Sequence, residues 1–166
     1  MSKVMLICGK LCSGKTTYAK KLVKENNAIL LSCDEIMLTL FGQYCGDLYD
    51  EMQEKTMKYL FNKSLEVVAI GVDVIFDFGF WSKAKREEAT EFYRQNGITP
   101  EWHYIDVPRE IWLKNVEKRN NAVENGETNN CYVDDNLANK CLSMFEEPTS
   151  DEIDVWFKND RICKYE

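Results

Sequence analysis

The sequence offers little from which to build a zinc site or a membrane span. Histidine occurs once in 166 residues, as His103 within an expected strand, and no cysteines are spaced as Cys-x-x-Cys, so zinc ligands are scarce. No run approaches the roughly 18 consecutive apolar residues of a membrane-spanning helix, and the N-terminal apolar run is too short for a signal peptide. We therefore expect no structural zinc, no membrane partner, and a strand histidine satisfied by its neighbours.

Disulfide bonds are also not expected. The seven cysteines are an odd number, which is typical of proteins in a reducing compartment. Several of them lie inside apolar runs, where a thiol serves as a small buried side chain. These features predict free thiols and a cytoplasmic location.

Positive charge is in short supply as well. The chain has 21 Lys and Arg against 28 Asp and Glu, which gives a net charge of −7. Sequence-independent binding to long nucleic acids draws its affinity from basic surfaces, so this balance argues against such a partner. It is compatible with a short nucleotide held in one local pocket.

What the sequence does contain is an alternation of short apolar runs and helical segments. This order predicts a three-layer α/β domain, with a parallel sheet of four to five strands and helices on both faces. The length suits a single domain over residues 1–166. The expected strands are Val4–Cys8, Ala28–Ser32, Val72–Asp77 and Glu101–Val107, and the expected helices are Thr16–Glu25, Asp47–Ile70, Ser82–Asn96, Pro108–Arg119 and Asp134–Phe145.

Two stretches do not follow this alternation. The segment Asn120–Asn130 is rich in asparagine and has almost no apolar periodicity, so we expect a mobile loop there. The final 18 residues are ambiguous between helix and strand.

The strongest motif lies between the first expected strand and helix. Residues 9–16, Gly-Lys-Leu-Cys-Ser-Gly-Lys-Thr, satisfy the P-loop pattern G-x-x-x-x-G-K-[ST] at every fixed position. Glycines let successive backbone N–H groups converge on phosphate oxygens, and the following helix directs its positive end at the same anion. Lys15 would reach the β- and γ-phosphates of ATP and the Thr16 hydroxyl would bind Mg²⁺, whereas the alternative is a simple glycine turn with an exposed lysine. The expected nucleotide-binding residues are Gly9, Lys10, Leu11, Cys12, Ser13, Gly14, Lys15, Thr16 and Thr17.

Two aspartates follow expected strands, where ligands bind in open α/β sheets. Asp34 could accept the proton of an attacking hydroxyl as a general base, or it could cap a helix that begins there. Asp77 ends an apolar strand and could bind Mg²⁺ or its water shell, or it could merely begin a turn.

With these residues in place, the chain resembles small ATP-binding P-loop kinase-like proteins of the AAA-domain family. This group is similar to zeta toxins, chloramphenicol phosphotransferase and the kinase domain of polynucleotide kinases. The resemblance spans nearly the whole chain. It is carried by Gly9–Thr17, Ser32–Asp34, Asp77–Ser82 with Arg86, Tyr104–Pro108 leading to Arg119 and Asn120, and Phe145–Pro148 with Asp151 and Glu152.

The resemblance implies roles for particular residues. Asp34 matches the acidic residue that activates the acceptor hydroxyl, and Arg119 matches a lid arginine over the phosphates, with residues 120–131 as the lid. Arg86 matches a position near the substrate side of the cleft. From the residues alone, Arg119 could instead be a cation at a helix C-terminus and Arg86 an exposed helix charge. Met37 stands where relatives often have arginine, which argues against an anionic acceptor.

These observations predict a cytoplasmic kinase that moves the γ-phosphoryl group of ATP to a hydroxyl of a small molecule, with Mg²⁺. Lys15, Asp34 and Arg119 are the expected catalytic residues, Thr16 and Asp77 the expected metal ligands, and Asp34 and Arg86 the expected substrate contacts. The alternatives are an ATPase coupled to a partner and a nucleotide-binding regulatory module without turnover. The acceptor and the oligomeric state are not specified by the sequence.

Overall fold

The computed structural model describes residues 2–42 and 46–162. Strands and helices alternate along the chain, as the apolar runs predict. The strands are β1 (Val4–Gly9), β2 (Ile29–Ser32), β3 (Val74–Asp77), β4 (Glu101–Asp106) and β5 (Val155–Lys158). The helices are α1 (Lys15–Asn26), α2 (Cys33–Phe41), α3 (Tyr49–Ala69), α4 (Lys83–Gln95), α5 (Arg109–Glu124) and α6 (Asp135–Met144), with a short 3₁₀ turn at Gly46–Leu48.

The five strands form one parallel sheet in the order β2-β3-β1-β4-β5. The central strand β1 is buried along its whole length, because successive side chains enter cores on opposite faces of the sheet. Leu6 joins one core with α3 and α4 residues, and Ile7 joins the other with α1 residues. The predicted three-layer α/β architecture is confirmed.

The register of the sheet brings the predicted site residues to one edge. Asp77 at the end of β3 lies beside Ile7 of β1 and beside Ser32 of β2. The loop after β1, the start of α2 and the end of β3 therefore meet at the carboxyl edge, where ligands bind in such sheets.

Three parts of the chain differ from the predictions or complete them. Helix α5 continues to Glu124, so the expected loop that begins at Asn120 is wrong over its first five residues. Its apolar pattern is weak because the fully buried residue of its inner face is a polar one, Asn115. Helix α2 was foreseen only in the alternative in which Asp34 caps it, and the ambiguous C-terminal stretch contains β5.

The five cysteines among the described residues are free thiols, as expected; Cys45 and Cys163 lie outside those residues. Nor does any helix of the described part combine the length and apolar character needed to cross a lipid bilayer.

Candidate functional site

The loop between β1 and α1 has the backbone of a phosphate cradle. Gly14 has φ 97°, a left-handed conformation that favours glycine. At Gly9 an added Cβ would lie 2.8 Å from the Ser13 Oγ and 3.0 Å from the Ile105 carbonyl oxygen, so no larger residue fits. Both glycines of the motif are thus required by the geometry of the loop.

Two polar features of the cradle suit an anion. The N-cap residue of α1 is Gly14, which has no side chain to cap the helix, and such an N-terminus suits an anion. The Ser13 hydroxyl is fully buried and hydrogen-bonds to no described residue. Uncompensated donors of this kind are costly in a folded protein, and a bound phosphate group would satisfy them.

Lys15 lies against the cradle. Its Nζ donates to the carbonyl oxygens of Lys10 at 2.7 Å and Gly9 at 3.0 Å. Burial lowers the pKa of Lys15, and the nearby carboxylates of Asp77 and Asp34 partly oppose this effect. The ammonium group is therefore held at the loop by carbonyl oxygens that a phosphate could replace.

Asp77 and Thr16 form a direct pair at the end of the sheet. The Thr16 hydroxyl donates to the Asp77 Oδ2 at 2.6 Å, and Asp77 is buried. A hydroxyl and one carboxylate fit Mg²⁺, which keeps several waters and takes further oxygens from phosphates. Within residues 2–42 and 46–162 no cluster of three or more His, Cys, Asp or Glu could hold a metal by itself, so an ion here would depend on the nucleotide.

Asp34 lies in the first turn of α2 and is not its cap. The cap is Ser32, whose hydroxyl accepts a hydrogen bond from the Glu35 N–H, so the capping interpretation of Asp34 is wrong. Desolvation by the surrounding residues raises the pKa of Asp34, as does the charge of Asp77, whereas Lys15 and Arg119 oppose the shift. The residue itself remains accessible to solvent. A carboxylate with a raised pKa among these groups is suited to accept a proton.

Arg119 projects from α5 onto the phosphate loop. Its Nε donates to the Cys131 carbonyl oxygen at 3.0 Å, and one terminal nitrogen lies 3.7 Å from the Cys12 sulfur. Because α5 continues to Glu124, Arg119 is not a cation at a helix C-terminus. It joins the segment between α5 and α6 to the cradle.

Asn120, the residue after Arg119, also binds the segment between α5 and α6. The Asn120 side chain donates to the Val133 carbonyl oxygen at 2.9 Å and accepts from the Val133 N–H at 2.8 Å. We name residues 125–134, between α5 and α6, the lid segment. Its C-terminal half is fastened to α5 by the two adjacent side chains Arg119 and Asn120.

Arg86 does not face a substrate. Its side chain is only 3% exposed, pairs with Glu152 at 2.8 Å and donates to the carbonyl oxygens of Phe80 and Glu146. Both interpretations of Arg86, the substrate contact and the exposed helix charge, are wrong, because its donors are taken up inside the protein.

Two other expectations concern residues outside the cleft. Met37 is buried in the core, where the Thr56 hydroxyl donates to its sulfur, so it bears on no acceptor. The buried His103 hydrogen-bonds to the Tyr18 hydroxyl and to the Glu101 carboxylate, each at 2.8 Å. It is a satisfied strand histidine, as expected.

Sequence reasoning missed three side chains that contact the cradle. Trp112 Nε1 donates to the Leu11 carbonyl oxygen at 2.7 Å, and Asn115 Nδ2 donates to the Cys12 carbonyl oxygen at 3.0 Å. Asn159, just after β5, donates from Nδ2 to the Ser13 carbonyl oxygen at 2.8 Å. The i, i+3 and i+7 spacing of Trp112, Asn115 and Arg119 could have indicated a shared helix face, whereas nothing local marks Asn159.

Residues 4–148 match a protein-family model described as an AAA domain. The chain belongs to this AAA domain family. The match includes the cradle, Asp34, Asp77, Arg119 and the lid segment, and it ends before β5. No curated protein sequence matches this AAA domain at a significant level.

Solved structures share the fold of this AAA domain. A putative kinase from Chloroflexus aurantiacus superimposes with a TM-score of 0.71 at 16% identity, covering 96% of this chain and 85% of that one. APS kinase from Mycobacterium tuberculosis, in complex with AMPPNP and APS, has a TM-score of 0.65 at 17% identity, covering 96% and 90%. Kti12 from Chaetomium thermophilum, in complex with ADP-AlF3, has a TM-score of 0.67 at 14% identity, covering 95% and 88%. At these identities the likeness establishes the fold alone.

Proposed function

We propose that this AAA domain transfers the γ-phosphoryl group of ATP to a hydroxyl group of a small molecule. The observation that carries the proposal is a second carboxylate, Asp34, beside the groups that suit a triphosphate. The Thr16–Asp77 pair would supply the ligands of a metal, which leaves Asp34 for a different task. Its electrostatic contacts with Lys15 and Arg119 support a position next to the transferred group.

The mechanism follows from what each residue can do. The cradle and Lys15 would hold the β- and γ-phosphates, and Thr16 with Asp77 would hold Mg²⁺, which supplies charge neutralisation to the phosphate oxygens. Asp34 would accept the proton of the acceptor hydroxyl while the hydroxyl oxygen bonds to the γ-phosphorus and the bond between that phosphorus and ADP breaks. Arg119 would stabilise negative charge on the transferred group, and the lid segment would exclude water.

Helix α2 brings no positive charge to the neighbourhood of Asp34. Residues Asp34, Leu38 and Phe41 lie on one face of α2 at i, i+4 and i+7 spacing, and α2 contains no Lys or Arg. Met37 is buried and so bears on no acceptor, but the absence of Lys and Arg from α2 argues against an anionic acceptor. We therefore propose a neutral acceptor rather than a phosphorylated compound or a polynucleotide.

The related folds favour a kinase. One similar structure is of a putative kinase and another is of an APS kinase, which supports phosphoryl transfer to a small molecule. The similarity to Kti12, solved in complex with ADP-AlF3, supports the alternative of an ATPase. A kinase would turn ATP over slowly alone and form a phosphorylated product once its acceptor is added, whereas a coupled ATPase would need a protein partner.

Binding of Mg²⁺–ATP to Lys15→Ala tests the nucleotide half of the proposal. At a hundredfold excess over Kd, ligand binding stabilises a protein by about 2.7 kcal/mol, which raises the thermal midpoint of a domain this size by several degrees. We expect that shift in the wild type and its loss in Lys15→Ala, with Lys20→Ala, an exposed residue of the same helix, as the control. An equal shift in Lys15→Ala would exclude the mechanism.

A screen of hydroxylated metabolites, antibiotics and nucleosides tests the acceptor half. Thermal midpoints measured with a non-hydrolysable ATP analogue would reveal compounds that bind beside the nucleotide. A hit must then yield a phosphorylated product with ATP. An anionic acceptor that is turned over in preference to neutral compounds would contradict the proposed neutral acceptor.

A further inference from the structure

The backbone carbonyl groups of the phosphate cradle are all hydrogen-bonded, from Gly9 to Gly14. Lys15 Nζ donates to the carbonyl oxygens of Gly9 and Lys10, and the Tyr18 N–H of α1 donates to that of Gly14 at 3.0 Å. The three carbonyl oxygens between them accept hydrogen bonds from side chains outside the loop. These pairs are Trp112 with Leu11, Asn115 with Cys12 and Asn159 with Ser13.

These external contacts orient the loop's N–H groups. In a planar trans peptide the C=O of one residue and the N–H of the next point in opposite directions. Carbonyls turned outward to α5 and β5 therefore turn the Cys12 and Gly14 N–H groups to the other side of the loop. The Ser13 N–H is already used, because it donates to the Lys10 carbonyl oxygen at 3.2 Å.

From this geometry we infer that Asn159 is a positioning residue of the phosphate site, acting through the Ser13 carbonyl. The inference rests on the proposed function, since it assigns a role in binding a nucleotide at the cradle. It extends the site beyond residue 148, where the family match ends, to the segment that follows β5.

Asn159 is itself held in a defined orientation. Its backbone N–H donates to the Asp106 carbonyl oxygen at 2.7 Å, which extends the β4–β5 pairing by one residue. Its Oδ1 accepts from the Arg161 N–H at 3.4 Å, so the amide nitrogen is the atom that faces Ser13. Strand β5 thus carries a donor from the sheet edge to a loop 146 residues away in sequence.

Lys15 cannot hold the loop in the same way when a nucleotide is bound. Its Nζ would leave the Gly9 and Lys10 carbonyls to reach the phosphates. The three external donors do not have to move to reach a phosphate, so they keep the loop in shape both before and after binding. A loop arranged in advance binds an anion without an ordering cost at the moment of binding.

Asn159→Ala tests the inference with two probes, Mg²⁺–ADP and Mg²⁺–tripolyphosphate, measured by calorimetry. Loss of one neutral hydrogen bond corresponds to a reduction in affinity of about three- to tenfold. We expect the same factor for both probes, because the altered loop contacts phosphates and not the base. Backbone amide exchange at residues 10–14 should also become faster, which a change confined to the base site would not cause.

The matched control is Asn62→Ala, which removes a side-chain bond of the same kind and length, Asn62 Nδ2 to the Lys58 carbonyl oxygen at 2.8 Å on exposed α3 surface. Its affinities should equal those of the wild type. If Asn159→Ala does not fold, the same measurements are made on Asn159→Ser. The shorter serine side chain cannot reach the Ser13 carbonyl oxygen, so this variant also lacks the hydrogen bond.

The outcomes separate the two proposals. A folded Asn159 variant with a lower thermal midpoint but unchanged affinities for both probes would show that Asn159 only stabilises the fold, and would overturn the inference. A loss for ADP without a loss for tripolyphosphate would do the same. A wild type that binds neither probe would overturn the proposed function, and the inference with it.

Discussion

At the scale of single residues, the two aspartates of the site have different environments, which supports the different roles proposed for them. Asp77 is buried and already engaged by the Thr16 hydroxyl at 2.6 Å. Asp34 lies accessible to solvent in the first turn of α2, and its pKa is raised by desolvation and by the charge of Asp77. These contacts support the proposed division into a metal-site carboxylate and a proton acceptor.

Replacing Asp34 with Asn should separate chemistry from binding. We expect phosphoryl transfer to the acceptor to fall by about 10²- to 10⁴-fold, the usual contribution of a general base, with the affinity for Mg²⁺–ATP retained. The control is Glu35→Gln, the exposed neighbour in the same helical turn. Transfer at the wild-type rate in Asp34→Asn would leave Asp34 without a catalytic role.

The raised pKa of Asp34 also predicts a pH-dependent difference in stability. The folded protein holds this proton more tightly than the unfolded chain, so the wild type loses stability as the pH rises from 3.8 through the raised pKa. Asp34→Asn, which stays neutral, should become the more stable protein over that range. Denaturation at a series of pH values checks the sign, and a gap that does not widen with pH would contradict the assigned environment.

At the scale of elements, helix α5 organises the site more than its sequence suggests. One face of it carries Trp112 and Asn115 to the cradle and Arg119 to both the cradle and the lid segment. The helix extends to Glu124 because Asn120 and the buried Ala122 find tertiary partners that replace a regular apolar stripe. Cradle and lid are thus linked through one rigid element.

Removing the Arg119 side chain should release the lid segment. In Arg119→Ala the Cys131 carbonyl loses its donor, so we expect faster amide exchange across residues 125–133 and slower phosphoryl transfer. Lys114→Ala, an exposed charge of the same helix, serves as the control and should change neither. Unchanged exchange in this segment would show that Arg119 does not fasten it.

At the scale of the whole molecule, the Arg86–Glu152 pair secures the path of the chain from α6 to β5. Arg86 is nearly fully buried and also holds the Glu146 carbonyl oxygen, so the segment between the two glutamates is drawn against α4. Burial by itself would raise the pKa of Glu152, but hydrogen bonds from Arg86 and Thr149 outweigh it and lower the pKa to about 2.

Glu152→Gln should therefore destabilise the domain at neutral pH. A carboxylate whose folded pKa is about 2 and whose ordinary value is 4.5 stabilises the fold by about 3 kcal/mol above pH 5, and this contribution disappears as the pH falls toward 2. We expect a loss of that order in the free energy of unfolding at pH 7 and a smaller difference from the wild type in acid. Glu147→Gln, an exposed neighbour, should behave as the wild type does. An equal loss at both pH values would contradict the assigned ion pair.

Patterns within short stretches were enough to predict most of the framework. The apolar runs indicated four of the five strands, since a strand buried on both faces needs a continuous apolar run. The P-loop motif, with Asp34 and Asp77 after their strands, predicted which residues meet at the carboxyl edge, because parallel strands bring their ends together. The family match confirms the resemblance to the AAA-domain family.

The sequence by itself determined the α/β order, the position of the phosphate loop and the residue types available there, because these depend on neighbours close along the chain. Only the tertiary structure decided that Arg86 is buried with Glu152, that Met37 belongs to the core, and that Asn115 and Asn159 hold the loop's carbonyl oxygens. For Arg86, Asn115 and Asn159 the partners lie more than 60 residues away, and for Met37 the packing of its helix decides. The spacing of Asn115 with Trp112 and Arg119 indicates a shared helix face but not its partner, and nothing local marks the partners of Arg86 or Asn159.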